Sequence, residues 1–208
     1  VFKLSSFLDT VEAIAACADD REVWDRYSWV YVQERTSLRD SAFYLVSRDD
    51  EDDEPALEAF AAQHDLCSFL EAATFADVLS VQKRQQPFSR LDDYAAALEH
   101  YAEQDAFLEI DDVDETSASS SGLACDLYAE FDLYLADCSP DRIGAAARLT
   151  AALLEIDIAS ALRNCRQLPF CLGERINRTR CENIEARYAE ISVALRRVAR
   201  HSFPWQAN

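Results

Sequence analysis

Residues 114–122 read DETSASSSG, a run of small and polar side chains with no apolar face to bury. Such a segment does not enter a packed core, and it reads as a linker or long loop. In a chain of 208 residues there is material for one sizeable core or two small ones. The segment selects the second arrangement, with domains over 1–113 and 123–208. The two parts differ in charge. Residues 1–120 hold 28 acids and 9 bases, whereas 121–208 hold 11 of each, so the whole net charge of −19 sits in the first part. Half of the residues are apolar and 11% are aromatic, which places both parts among folded domains and not acidic tails.

Within the first part, Phe7, Leu8, Val11, Ile14, Ala15 and Ala18 recur at helical spacing, with Ser5 or Ser6 as the N-cap. WVYVQER (29–35) and SAFYLVS (41–47) are rich in aromatic and β-branched residues and predict a hairpin. Pro55 opens a helix through about residue 63, and LCSFLEA (66–72) supplies a short third strand. Thr74 then caps a helix to about Gln85, and Ser89, with Asp92 three residues on, caps another. That helix carries the stripe Leu91, Tyr94, Ala95, Leu98, Tyr101, Ala102. DAFLEIDD (105–112) reads as a further strand. The expected fold class is α+β, a small antiparallel sheet with flanking helices, followed by a mainly helical C-terminal segment.

In the second part, Cys125 to Leu135 is ambiguous. Its apolar residues alternate as in a strand, while Leu123, Leu127, Phe131 and Leu135 also fit a helix face; the regular alternation favours the strand. Ser139-Pro140-Asp141 starts a long helix to about Arg163, and LPFCLG (168–173) is a turn-rich connection. Cys181, Ile184, Tyr188, Ile191, Leu195 and Val198 form a heptad-like seam on a last helix. It spans about two heptads, short of the 3–4 that a coiled coil needs, so packing on its own core is the expected use.

Enzyme signatures are missing. With Gly122, Gly144 and Gly173 as the only glycines, no glycine-rich phosphate loop can form. His64, His100 and His201 lie far apart and in no catalytic motif. Cys165, Cys171, Cys181 and His201 are separated by five, nine and nineteen residues, which matches no common zinc spacing. Seven cysteines without a C-x-x-C pair suggest reduced thiols in a cytoplasm. No apolar run approaches the roughly 18 residues of a membrane span, and VFKLSSFLDTVEAIAACADD, broken by Asp9 and Glu12, does not read as a secretory signal. No catalytic residue, metal or cofactor is expected.

What remains is binding. RDDEDDEP (48–55) lacks the ligand alternation and the glycine of a calcium loop, and like charges favour a solvated loop there. The acids Asp49, Asp50, Glu51, Asp52, Asp53 and Glu54, with Asp111 and Asp112 at the end of the domain, are the expected partner-binding residues. Their field repels nucleic acid and anionic membranes and speeds encounter with a cationic protein. Trp24, Tyr27, Trp29, Tyr31 and Tyr44 are aromatic residues near that field, able to anchor a docked partner or to fill the core.

Residues 75–110 resemble an uncharacterised bacterial family with a Q-x-P element (Gln85, Pro87), a helix with an A-x-x-Y-Y-like pattern (Ala97, Tyr101) and a D-A-F element (Asp105, Ala106, Phe107). His100 stands where the first tyrosine of the pair is expected. Such families look like the small acidic immunity proteins of bacterial toxin systems. The resemblance implies a non-enzymatic inhibitor that occludes a cognate basic toxin or effector. An acidic secretion chaperone or adaptor, dimeric through the 181–198 seam, is the alternative; an enzyme using scattered carboxylates is a third.

Overall fold

The computed structural model describes residues 2–33, 37–51, 53–110 and 127–207. They form two units: Val1–Tyr128 together with Ser202–Asn208, and Ala129–His201. The first unit is therefore discontinuous in sequence, and the second is inserted into it. Asp111, Asp112 and the 114–122 segment lie outside the described residues.

The first unit is built on a three-stranded antiparallel sheet in the order β2-β1-β3, with β1 at Tyr27–Gln33, β2 at Phe43–Ser47 and β3 at Leu66–Glu71. β1 alternates: Ser28, Val30 and Val32 are buried, while Trp29 is exposed and Tyr31 half-buried on the other face. Val30, Val32 and Phe43 join one core with α1 (Phe7–Ala15), α5 (Ala72–Gln85) and α6 (Leu91–Gln104). Tyr44 and Val46 form a smaller cluster with Leu57 of α4 (Glu54–Gln63), against which Tyr31, Phe2 and Phe60 pack. Both faces of the sheet thus find apolar cover.

Ser6 caps α1 in a reciprocal box, its Oγ accepting from Asp9 N at 3.1 Å and Asp9 Oδ2 accepting from Ser6 N at 3.2 Å. α2 (Asp20–Arg26) is capped by Asp19. The Pro55 helix and the third strand stand where the sequence puts them, and the hairpin strands pair as expected, with β1 beginning two residues earlier, at Tyr27. Other boundaries differ. α5 begins at Ala72 and not after Thr74, and Ala72 is itself fully buried in the core with Phe75, Ala76 and Leu79. The cap of α6 is Arg90 with Asp93, whose carboxylate accepts from Arg90 N at 2.6 Å. Ser89 is fully buried and accepts from the Gln82 side chain at 2.8 Å. Residues 105–110 form no strand; Gln85 holds them through Leu108 O and Ile110 N.

Residues 202–206 close the first core. Phe203 is buried in it, stacks on Trp205 with centroids 4.5 Å apart, and meets Tyr94 edge-on. The buried Lys83 ammonium donates to Ser202 O and lies over the Phe203 ring, and Glu12 accepts from Trp205 Nε1 at 3.1 Å.

The second unit carries its own antiparallel sheet, ordered β5-β4-β6, with β4 at Glu130–Leu135, β5 at Phe170–Asn177 and β6 at Arg196–Ala199. β4 is the strand favoured by the alternation, and Phe131, Leu133 and Leu135 enter the core. Around it lie α7 (Ile143–Leu154), α8 (Ile158–Arg166) and α9 (Arg178–Ala189). The unit is helix-rich, and its sheet goes beyond the sequence reading. LPFCLG lies mostly in β5 and is not a turn-rich connection; Leu172 is buried there. The long helix is two helices, divided at Glu155, whose φ is +54°, and restarted by Asp157 as N-cap. The seam over 181–198 is divided as well: α9 ends at Ala189 and Val198 belongs to β6. No continuous helical face therefore runs through it. Cys165 and Cys181 are core side chains, with Cys165 Sγ 3.3 Å from Thr150 Oγ1. Among the described residues, no helix is long and apolar enough to cross a membrane.

Candidate functional site

The acid run is not the uniform solvated loop that its charge predicts. Residues Arg48–Glu51 form a one-turn helix, α3, and Asp53 caps α4 by accepting from Ala56 N at 3.3 Å. Asp50 turns inward. Its Oδ2 accepts from Tyr44 OH at 2.7 Å, from Ser47 Oγ at 2.6 Å and from Ser47 N at 3.3 Å. Burial alone would raise the Asp50 pKa, but the bonds from Ser47 and Tyr44 outweigh it and the net shift is downward. The same contact, after burial, pushes the Tyr44 phenol well above its ordinary range. Like charges tolerate this turn because half of them have local partners. Asp49 and Glu54 remain exposed and Asp52 lies outside the described residues.

Beside α3 the structure places groups that the sequence does not bring together. Trp24, on α2, is 53% exposed and Trp29, on the outer face of β1, is 39% exposed. A hollow of about 140 Å³ lies against both, with Ser28, Arg48, Glu51 and Glu71 also in its wall. Arg48 fixes one side. Its guanidinium lies over the Trp24 ring, 5.5 Å from the centroid, its Nε donates to Trp24 O at 2.9 Å, and its Nη1 meets Glu51 at 3.0 Å. The neighbouring Ser28 hydroxyl, and then Arg48, hold the Glu51 carboxyl below its usual range. Ser28 Oγ is nonetheless buried and makes no hydrogen bond of ordinary geometry. A second hollow, of about 280 Å³, shares Tyr27 and Arg48 and adds Asp25 and Asp49 to the margin.

Of the aromatic residues near the acidic field, Tyr44 is therefore core, Tyr27 and Tyr31 are half-buried, and Trp24 and Trp29 are exposed. Glu51 is the expected site residue that joins them in the first hollow, and Asp49 borders the second. Asp50 and Asp53 serve the fold. Glu71 was not foreseen, because it reaches Trp29 through strand register. The alternation around Val30 and Val32 was the available signal that Trp29 faces outward.

A sequence family described only as a domain of unknown function, DUF7716, matches residues 8–110. The match spans α1 to α6 and includes the residues of both hollows. No curated protein matches the chain.

Proposed function

We propose that the protein is an immunity protein, a non-enzymatic inhibitor that occludes a basic bacterial toxin domain in the cytoplasm. The observation that carries this reading is the pair of exposed tryptophans beside a hollow walled by carboxylates, in the part of the chain that holds the entire charge imbalance. Carboxylates accelerate encounter with a cationic surface, and tryptophans supply affinity once water is expelled. The resemblance over 75–110 points the same way.

The test is co-expression with the products of neighbouring genes, followed by association kinetics on the captured partner. A cognate toxin should co-purify, and the association rate should fall steeply as salt rises. Asp49→Asn combined with Glu54→Gln should slow association several-fold while changing stability by less than about 1 kcal/mol, since both side chains are exposed. A salt-independent rate, or capture of no neighbouring product, would exclude the reading.

A further inference from the structure

The hollow beside α3 has two halves of the same composition. In the first, a tryptophan ring (Trp24) and a carboxylate (Glu51) hold a guanidinium, that of Arg48. In the second, Trp29 and Glu71 are direct partners in the antiparallel register of β1 and β3. Their side chains share a face with Cβ atoms about 4.5–5.5 Å apart. Glu71 stands at the N-cap of α5 but makes no capping bond, so its carboxylate is not used by the helix. Arg48 is the only basic group among the described residues of the wall, against two carboxylates. The second half thus has the aromatic face and the acid, but no cation of its own.

We infer that the Trp29–Glu71 half is the seat for one arginine side chain of a protein partner. The inference deepens the proposed function by naming what the partner presents. Arginine suits the site better than lysine, because its planar, weakly hydrated guanidinium stacks on an indole face while its N–H fork reaches a carboxylate. The volume, about 140 Å³, is below the roughly 300–1,000 Å³ of small-molecule sites and fits a single side chain.

The experiment uses the full chain labelled with nitrogen-15 and three blocked peptides, Gly-Arg-Gly, Gly-Lys-Gly and Gly-citrulline-Gly. With the arginine peptide, the indole N–H signal of Trp29 should shift and saturate. The lysine and citrulline peptides should bind more weakly, by about threefold to tenfold or more, the scale of a cation–π contact. Glu71→Gln should abolish the preference for arginine at the Trp29 indole, and Trp29→Leu should abolish it at the backbone N–H of Glu71, while an unchanged indole signal from Trp205, which packs on Phe203 and Tyr94, establishes that the unit is folded. Equal responses to all three peptides, or shifts confined to the acid run, would overturn the inference. Toxin capture tests the immunity reading separately: a toxin that binds although Trp29 ignores the arginine peptide removes this seat and leaves that reading standing.

Discussion

At the scale of single residues, the acid run shows how adjacent carboxylates acquire different duties. Asp50 accepts three hydrogen bonds, Asp53 caps a helix, Glu51 pairs with Arg48, and Asp49 faces solvent. Asp50→Ala should lower the unfolding free energy of the first unit by about 1–3 kcal/mol, because it strands the Tyr44 hydroxyl and the Ser47 donors. The pH dependence follows from the lowered folded pKa. The Asp50 contribution is complete above its unfolded value of about 3.9 and is lost as pH falls through the lower folded value, so variant and parent should begin to converge only as pH falls below about 3.9. Denaturation followed by tryptophan fluorescence reads this directly, since Trp24, Trp29 and Trp205 all lie in the first unit. None of these duties was legible in DDEDDE, because each depends on which donor the backbone brings alongside.

At the scale of elements, sequence reading worked where apolar periodicity and caps coincide. Ser6 with α1, Pro55 with α4 and the alternation of β1 are examples. It failed where the chain breaks without glycine or proline. Among the described residues, five non-glycine residues hold positive φ: Asp65, Asp105, Glu155, Arg175 and Ser192. In a chain with three glycines, these side chains do the work usually left to glycine. The break at Glu155 was therefore invisible, and α7 and α8 merged into one expected helix. Ser192 follows α9 in the same way, and the seam was extended into β6. Such a residue costs about 1–2 kcal/mol in the left-handed region, and glycine costs about 0.5–1 kcal/mol in lost entropy. Glu155→Gly should accordingly stabilise the second unit by about 0.5–1 kcal/mol. Hydrogen exchange over 143–166 measures it, and faster exchange in the variant would contradict the argument.

At the scale of the whole molecule, the first unit depends on residues separated from it by the entire second unit. Phe203 is 2% exposed and shares a core with Tyr94 and Leu98. Phe203→Ala should cost the first unit about 3–5 kcal/mol, seen as an early tryptophan-fluorescence transition while the helical signal of the second unit persists. Composition revealed two charge regimes but not this connectivity, because SFPWQ carries no mark of the core that it fills. The arrangement also sets an order of events on the ribosome. Residues 129–201 can fold as soon as they emerge, but the first unit, though begun earlier, waits for Phe203 and Trp205. At about 5–20 residues per second, the roughly 100 residues between the end of α6 at Gln104 and Phe203 take on the order of 5–20 s. For that interval the apolar faces of Tyr94 and Leu98 lack their final cover, so the half of the protein that is translated first is the half that is completed last.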